Sequence, residues 1–410
     1  MGTVTLGRLQ FATTTSLHFL FVLLTLGLVT LVAVSQTRAH FSRNPVHLRM
    51  TRFWGHIYVI NYVLGIATGI VMEFQFGLNW TGLTAFAGDV FGAPLAIETL
   101  VAFFLESTFL GLWIFGWGRL PRGLHLALIW LVTATAYASA LWVMVANSFL
   151  QNPVGYTVSD GTAHLTSLSA LMSNPALWTA LGHLLSAALL AGGVLVAGIS
   201  AYHFLKRTKE IEFFRRSLRL GLVAATVGAT MVIGLGFSQF DVLRRVQPAK
   251  LGSDAERAAA QAIGEARFGP GDYLPPKGIG TFLEVMMNLG FLLYLIVAVA
   301  LVLCFRSWIE RWRIPMYVLV GTIPLPFIAA LCGWYFREMG RQPWVVNGLL
   351  KTSDAVSDVS PGTMLGSFIA FTAVLIGLAV TNWVLIARVA RRGPQPDTLE
   401  ALPPVPAMSL

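Results

Sequence analysis

Two of the eight histidines, His18 and His183, lie within long apolar segments. An ionisable side chain inside a membrane span is costly, so each is a candidate for function. Both are expected one or two helical turns from the same membrane surface, and imidazole is a common axial ligand of haem iron. The pair therefore predicts haem ligation. A structural, hydrogen-bonded histidine is the alternative that the sequence leaves open.

Met286 and Met287 begin another apolar segment at that same depth. A thioether can ligate haem iron, although a methionine in a membrane helix more often serves packing alone. Either residue is thus a candidate ligand. The two cysteines, Cys304 and Cys332, lie in apolar runs without metal-binding spacing, and we predict neither a disulfide nor a zinc site.

Two glutamates, Glu98 and Glu106, belong to the segment APLAIETLVAFFLESTFLGLW. In an α-helix their spacing separates them by roughly 12 Å and puts them on neighbouring faces. Such a pair can relay protons, and the hydroxyls of Ser107 and Ser139 could extend the hydrogen-bonded chain. The alternative is a pair of neutral, hydrogen-bonded carboxyls that fixes helix packing.

The segments that carry these residues must face lipid. Of the 410 residues, 56% are hydrophobic and 11% are charged, and the mean hydropathy is +0.70. A soluble domain has about a quarter charged residues, so a chain this poor in charge cannot cover a water-facing surface. Helices of roughly 20 apolar residues satisfy their own backbone and can cross a bilayer. We predict an all-α integral membrane protein with nine transmembrane helices, at about 13–35, 54–76, 94–116, 125–149, 178–204, 218–240, 279–304, 315–336 and 363–388.

The positively charged residues predict the orientation of these helices. With the N-terminus outside, the inner segments hold 18 of the 28 Lys and Arg residues, whereas the outer loops at 77–93 and 150–177 hold none. We therefore expect the N-terminus outside and the C-terminus in the cytoplasm. The net charge of +9 is then mostly an orientation signal and gives no reason to expect a nucleic-acid partner.

Two parts of the chain are distinguished by composition. Residues 1–392 are predicted to form one nine-helix, haem-binding membrane domain, whose first helix is retained because no cleavage site follows it. Within it, the 241–278 loop is a long connection with its own charge pattern, and long loops of this kind are often functional. Residues 393–410, GPQPDTLEALPPVPAMSL, are Pro-rich and are predicted to be a disordered cytoplasmic tail.

Several long motifs occur in the order typical of one family. They are GRLQFATTTSLHFLFVLLTLG, FWGHIYVINYVLGIATGIVMEFQFGLNW, GDVFGAPLAIETLVAFFLESTFLGLWIFGW, SALWVMVANSFLQNP and GRQPW. Together they resemble subunit I of the cytochrome bd quinol oxidases, almost without a break from residue 7 to about residue 155. The resemblance implies a membrane enzyme that takes electrons from quinol and reduces dioxygen to water. Its haems would be low-spin b558, high-spin b595 and high-spin d, near the outer surface.

The resemblance also implies roles for individual residues. His183 and Met286 resemble the two axial ligands of haem b558, and His18 resembles the axial ligand of a high-spin haem at the oxygen-reducing site. Glu98 resembles the carboxylate beside that site, and Glu106 resembles the one on the proton path from the cytoplasm.

Other residues resemble polar groups around the haems and the donor site. Arg8, Arg341 and Gln342 match the polar residues of the GRLQ and GRQPW motifs, and an arginine fork pairs well with a haem propionate. Lys250, in VQPAKLGSDAE, falls on the lysine of the family's quinol-binding loop. The family further implies a second hydrophobic subunit, a bacterial inner-membrane location, and cytoplasmic proton uptake without proton pumping.

The haem ligands implied by the family are incomplete in this chain. Leu331 stands where a glutamate ligates haem b595, and the adjacent Cys332 would point roughly 100° away from that direction in a helix. Haem b595 would then be absent, held in some other way, or replaced by a different haem arrangement. Glu284 stands where an arginine usually lies beside the b558 methionine.

The quinol-binding loop is short and partly rewritten. Ala255 stands at the position of the family's glutamate, with Glu256 as the next residue, and Phe237 replaces an acidic residue before the loop. These changes bear on the electron donor more than on haem binding.

The sequence therefore favours a bd-type terminal oxidase subunit and leaves two alternatives open. One is a diverged bd-like haem protein with another electron donor or acceptor, or a non-catalytic paralogous subunit, which the changes at Leu331, Glu284 and Ala255 favour. The other is a transporter without a redox role. Against it stand His18, His183 and the lack of Gly/Pro-interrupted paired halves.

Overall fold

The computed structural model describes residues 1–42, 44–305 and 312–394 and is mostly helical. The tail predicted at 393–410 lies outside the described residues except for Gly393 and Pro394. Within the described ranges, nine helices are long and apolar enough to cross a membrane, as predicted. We number them α1 to α9, with the bounds Thr3–Ser42, Pro45–Asn79, Thr81–Phe115, Arg122–Gln151, Pro175–Leu205, Ile211–Val246, Ile279–Phe305, Arg313–Met339 and Pro361–Arg392.

Polar caps and prolines determine where several helices begin. Asn44 precedes Pro45 in α2, and Asn174 precedes Pro175 in α5; each asparagine side chain accepts a hydrogen bond from a backbone N–H of the first turn. Proline suits this position because its fixed φ is helical and no intrahelical donor is needed there. The helices extend beyond the predicted spans, since the apolar pattern marks the lipid-facing part and not the ends.

Two of the spans are not regular α-helices, although the sequence predicted them as uninterrupted. α3 is a π-helix over Glu98–Phe103, between α-helical segments Thr81–Ile97 and Phe104–Phe115. A π segment inside an α-helix often marks a functional position, and this one begins at Glu98. α8 is divided into Arg313–Thr322 and Leu325–Met339 at Pro324, which has no backbone N–H to donate.

The centre of the bundle is formed by α1 and α5. α5 is the most buried of the spans, and it packs closely on α1 because both helices have glycine at the contact. A Cβ atom on Gly192 would lie 2.8 Å from the carbonyl carbon of Gly27, a distance that no real side chain tolerates. Small residues allow membrane helices to approach this closely. The two central helices are also those that carry His18 and His183.

One end of the bundle carries most of the connecting structure, and we call it the loop end. The N-terminal turn of α1 lies there, because Thr3 donates to the Val359 carbonyl just before α9 begins. That the loop end faces outward stays a prediction. Its elements are the antiparallel pairs β1 (Tyr156–Ser159) with β2 (Thr162–Leu165) and β3 (Trp344–Val346) with β4 (Leu350–Lys351), the short helices Leu168–Met172 and Thr352–Ala355, and the loop 247–278, which contains the 3-10 turn Pro248–Lys250 and the helix Asp254–Phe268.

Candidate functional site

A cavity of about 220 Å³ lies at the loop end between α5, α6, α7 and α8. His183 of α5 and Met286 of α7 both line it, together with Met287. The structure thus brings together two predicted ligands that lie far apart in the sequence. Most of the remaining lining is aliphatic or aromatic, which is typical of a cofactor site with a few well-placed polar groups.

The hydrogen bond of His183 determines which ring nitrogen is available. Its Nδ1 lies 2.9 Å from the carbonyl oxygen of Val232. A carbonyl oxygen only accepts, so Nδ1 carries the proton and the lone pair is on Nε2. Metal-ligating histidines are commonly oriented by such a second hydrogen bond. The imidazole is therefore held in the tautomer that an axial ligand requires.

Glycines leave room beside both candidate ligands. A Cβ atom on Gly333 of α8 would lie 2.6 Å from the Met286 sulfur, and one on Gly236 of α6 would lie 3.2 Å from Cε1 of His183. A larger residue at position 333 would displace the thioether. The two glycines therefore let imidazole and thioether occupy the wall of the same cavity, as a group ligated by both would need.

A polar cluster beside the cavity carries more positive than negative charge. Arg341 donates to the buried carboxylate of Glu338 at 2.8 Å, and Nε of Arg337 lies 3.9 Å from the same carboxylate. Lys250 is the third cation of this cluster. Nη2 of Arg337 is buried and has no hydrogen-bond partner among the described residues. Because buried charges are usually paired, the surplus of positive charge fits an added anionic group such as a propionate.

Lys250 is fixed at the wall of the large cavity. Its Nζ donates to the Arg337 carbonyl at 2.9 Å and to Oε1 of Gln151 at 3.4 Å, and it lies 5.7 Å from the centre of the Phe336 ring. Burial holds the pKa of this amine well below its ordinary value, and the nearby positive charges of Arg341 and Arg337 lower the pKa further. The amine is thus less basic than an exposed lysine.

A smaller cavity, of about 20 Å³, is lined by Arg8 of α1, Trp80, Arg341 and Gln342. Nε of Arg8, Nε1 of Trp80, and both Nε and Nη1 of Arg341 are buried without a hydrogen-bond partner in the part of the chain that the structure describes. Each unpaired buried donor costs about 1–3 kcal/mol. These donors border one small space, so an anionic oxygen there would satisfy several of them. The structure brings Arg8 and Arg341 to one place.

His18 is oriented in the same way as His183 but by a side chain. Its Nδ1 lies 2.8 Å from Oγ1 of Thr68 in α2, and that hydroxyl donates to the Gly65 carbonyl at 2.6 Å. The hydroxyl hydrogen is thereby used, so Nδ1 of His18 donates and its Nε2 keeps the lone pair. A Cβ atom on Gly69 would lie 3.5 Å from Cε1 of His18, an ordinary contact distance.

An aromatic pair lies between the regions of the two histidines. The rings of Phe19 and Trp334 are stacked, with centroids 5.4 Å apart and planes 25° apart. Both rings line the large cavity. Phe19 follows His18 in the chain, and Trp334 follows Gly333, so this pair connects the neighbourhood of His18 to the cavity of His183.

The two glutamates of α3 have different surroundings. Glu98 is half-buried at the start of the π segment, and its Oε1 accepts a hydrogen bond of 2.5 Å from Ser139 of α4. Glu106 is buried, and its Oε1 has no hydrogen-bond partner among the described residues. Ser139 therefore joins Glu98 as predicted, whereas Ser107 bonds to the Tyr62 hydroxyl instead, at 3.1 Å.

A third carboxylate lies beside Glu98, where the sequence indicates only an interfacial residue. The hydroxyl of Thr99 lies 3.2 Å from Oε2 of Glu98 and 3.1 Å from Oε1 of Glu73 in α2. Glu73 lies in the MEFQFG motif near the end of its helix, and its ionisable side chain in a membrane span was the available signal.

The large cavity is not lined by Leu331, Cys332, Glu284 or Glu256, which lie at or beside positions that depart from the family pattern. Leu331 is half-buried in α8, and Cys332 is a free, half-buried thiol. Glu284 is exposed. Glu256 accepts hydrogen bonds from the backbone N–H and hydroxyl of Ser253 in a capping box, and the backbone bond lowers the pKa of its carboxyl. Glu256 is therefore engaged as a helix cap.

Several other residues of the site were not singled out from the sequence. Trp334, Arg337 and Glu338 all lie in the last turns of α8, in the stretch GWYFREMGRQPW. The adjacent charged pair at the end of an apolar segment was a usable signal, because a charge there needs a partner. Among the residues that the structure describes, no group of three or more His, Cys, Asp or Glu could hold a separate metal ion.

The chain is similar to known proteins over nearly its whole length. A family model described as Cytochrome bd terminal oxidase subunit I matches residues 6–268 and 254–394. The chain is 37% identical to the Cytochrome bd ubiquinol oxidase subunit 1 of Bacillus subtilis (strain 168), over 98% of this chain and 97% of that protein. It is 31% identical to the Cytochrome bd-II ubiquinol oxidase subunit 1 of Escherichia coli (strain K12), over 95% of this chain and 97% of that protein.

A solved structure has the same fold. The bd oxidase from Geobacillus thermodenitrificans superposes with a TM-score of 0.85 at 25% identity, covering 96% of this chain and 99% of that chain. The agreement extends over nearly the whole length of both chains. The resemblance that the motifs indicated is confirmed.

Proposed function

This chain belongs to the cytochrome bd terminal oxidase subunit I family, and we propose that it is the haem-carrying subunit of a quinol oxidase that reduces dioxygen to water. The observation that carries the proposal is the shared cavity of His183 and Met286, which offers one free imidazole nitrogen and one thioether. The proposal includes a second hydrophobic subunit as partner. It also includes a bacterial inner-membrane location with the loop end outward.

His183 and Met286 would hold a low-spin haem b, which when bound accepts and passes on single electrons. His183 contributes Nε2, because its Nδ1 donates to Val232. Met286 contributes its sulfur, for which Gly333 leaves space. Arg337 would balance a propionate with its unpartnered Nη2.

His18 would be the axial ligand of a high-spin haem, with Thr68 fixing its tautomer. Arg8 and Arg341 would balance carboxylates of this second site through the donors that now lack partners. The residues do not fit haem b595 in the way that the family resemblance implies, because the aliphatic side chain of Leu331 cannot bind iron. We therefore propose a b558-like haem and one high-spin haem for this chain.

Glu106 and Glu98 would carry protons from the cytoplasmic end of α3 toward the oxygen-reducing site. Glu106 is buried and has an unpartnered oxygen, so it can accept a proton from a water molecule or a neighbouring group. Glu98 is held by the Ser139 hydroxyl at the π segment, which fixes its carboxyl toward α4. A positioned carboxyl is suited to this role because it can take up a proton and release it to a neighbouring group.

Lys250 would bind quinol at the loop end. It lines the same cavity as His183, so a donor bound beside it would be close to the low-spin site. Its Nζ donates to the Arg337 carbonyl and to Gln151, and a further N–H of the same amine would bind an oxygen of the donor.

The second candidate is a diverged bd-like haem protein with a different electron donor or acceptor. It is favoured by Glu256, which caps a helix on the surface of the loop and so does not replace the missing glutamate at Ala255. A non-catalytic paralogous subunit belongs to the same alternative.

Three measurements on one purified sample test these functions. We expect a reduced-minus-oxidised spectrum with a low-spin b-type signal, haem quantitation near two per chain, and quinol-dependent oxygen consumption. Haem without quinol oxidation would favour the second candidate. A colourless protein after expression with sufficient haem would contradict both.

A further inference from the structure

The loop that carries Lys250 is attached to the β3–β4 hairpin by a cluster of rings around one cation. The Trp344 ring stacks on Tyr273 with centroids 5.7 Å apart and lies 4.9 Å from Phe268. Nζ of Lys351 lies 4.8 Å from the centre of the Tyr273 ring, 5.7 Å from that of Phe268, and 3.1 Å from the Tyr273 hydroxyl. We call these residues, Phe268, Tyr273, Trp344 and Lys351, the aromatic clamp.

Tyr273 also makes contacts within its own loop. Its hydroxyl donates to the Gly269 carbonyl at 2.9 Å, and its backbone N–H donates to Gln261 at 2.9 Å. A Cβ atom on Gly264 would lie only 2.5 Å from the Tyr273 ring, so the ring lies flat against the helix backbone. The side chain is 5% exposed although the loop lies outside the spans. Tyr273 thus holds the loop together and also presents its ring to the hairpin.

The clamp is connected to the donor residue through the loop. Arg257 donates to the carbonyl of Ala249, next to Lys250, and to the carbonyl of Pro275, near Tyr273. Arg257 therefore links the two ends of the loop. On the other side, the hairpin begins at Trp344, two residues after Gln342, and Trp344 pairs with Lys351 across it.

Lys351 has no acidic partner among the described residues, and its charge is met by rings and a hydroxyl. A cation over aromatic faces is attracted to them, and more strongly the further it is removed from water. Because this contact joins two segments that are far apart in the sequence, it resists displacement of the whole loop.

We infer that Lys351 and Tyr273 are positioning residues for the donor site, which hold the Lys250 turn against the cavity wall by fixing the loop to the hairpin. This inference rests on the proposed quinol oxidation. It assigns the clamp to donor affinity, with no part in haem binding or in oxygen reduction.

The test is steady-state quinol oxidation by Lys351→Met in the complete oxidase complex. Methionine keeps an apolar stem but removes the charge, so the KM for quinol should rise about tenfold while kcat changes less than twofold. Lys351→Arg should restore the KM to within about twofold, because a guanidinium also lies well over aromatic faces. Tyr273→Phe keeps the ring and should raise the KM about two- to threefold.

Lys277→Met is the matched control, since Lys277 is an exposed lysine of the same loop. Its KM should remain unchanged, and every variant should keep the wild-type haem spectrum. A Lys351→Met enzyme with an unchanged KM, or one whose kcat falls with no change in KM, would overturn the inference.

Limited trypsin digestion separates this outcome from failure of the proposed function. Arg257, Arg267 and Lys277 offer cleavage sites in the loop, and Lys351→Met should be cut several times faster there than wild type. If wild-type protein binds haem but oxidises no quinol, the proposed function fails. Equal cleavage rates would then overturn the clamp as well.

Discussion

The cavity of His183 and the surroundings of His18 are the two regions proposed to hold haem, and they differ in the number of candidate ligands that they present. At the cavity, two candidate ligands face one space, and glycines at 236 and 333 leave room for both. At His18, a single imidazole is anchored by Thr68 and has an ordinary contact distance to a Cβ atom built on Gly69. The cavity also borders Arg337, whose Nη2 has no hydrogen-bond partner among the described residues.

The number of candidate protein ligands distinguishes the chemistry that is proposed for the two regions. Two protein ligands to one iron define a low-spin site without further components. A site with a single protein ligand leaves a coordination position open, which is what oxygen binding needs. Under the proposed function, the cavity would serve electron entry and the His18 region would serve oxygen chemistry, and the variants below test this division.

The largest effect is expected from removing a ligand in the cavity. His183→Ala or Met286→Leu should abolish the low-spin haem signal and quinol oxidation while the high-spin signal remains, because His18 is anchored independently by Thr68. Optical and EPR spectra of the reduced and oxidised protein measure this. Met287→Leu, which alters a methionine of the same cavity, should keep the wild-type spectrum.

An unchanged low-spin spectrum in both ligand variants would show the assignment to be wrong. Loss of both haem signals together would contradict the independence of the two regions. In that case, the two regions would form one joint haem site.

The next effect acts on the other region. Glu106→Gln should lower oxygen consumption about a hundredfold, because glutamine keeps the size of the side chain but cannot carry a proton. Rapid reduction of the low-spin haem by quinol should remain near the wild-type rate, which stopped-flow spectroscopy measures. Slow haem reduction in this variant would instead place Glu106 in electron entry or packing.

A smaller effect is expected at the donor side of the cavity. Lys250→Ala should raise the apparent KM for quinol about tenfold, since it removes a charged donor at the cavity wall. The high-spin spectrum should be unaffected. A KM equal to that of wild type would separate the loop from donor binding and favour the second candidate function.

The smallest effect tests the role of glycine beside Met286. Gly333→Ala places a Cβ atom 2.6 Å from the sulfur in the present arrangement, so α8 or the thioether must shift at a cost of about 1–3 kcal/mol. We expect a partial conversion of the low-spin signal to high spin, measured by EPR. Gly280→Ala in α7, where a Cβ atom meets nothing within 4 Å, is the control and should leave the spectrum unchanged.

Much of the fold could be predicted because lipid imposes a simple rule on the sequence. Apolar length located all nine spans that the structure describes, and the family motifs indicated the fold that the solved structure shares. The π segment at Glu98 and the break at Pro324 were not predicted. Hydrophobic content averages over a whole segment, whereas such irregularities depend on which neighbouring groups satisfy the backbone locally.

The residues of the candidate site were likewise only partly predictable from the sequence. His18, His183, Glu98 and Glu106 could be selected from the sequence, because ionisable groups in lipid are rare and costly. Their partners could not: the Val232 carbonyl that fixes the tautomer of His183 belongs to another helix. The role of Glu256 could not be predicted either, because it depends on the capping box in which Ser253 donates to its carboxylate.

The sequence alone thus determined the membrane class, the number of spans and the candidate ligands, since each follows from the cost of placing polar groups in lipid. The packing of the folded chain was needed to show that His183 and Met286 share a cavity. It was also needed to show that Arg8 and Arg341 direct unpartnered donors to one space, and that the clamp joins Lys351 to the loop. These relations depend on close packing between helices and loops distant in the chain, and such packing is governed by distances of a few tenths of an ångström that no residue pattern records.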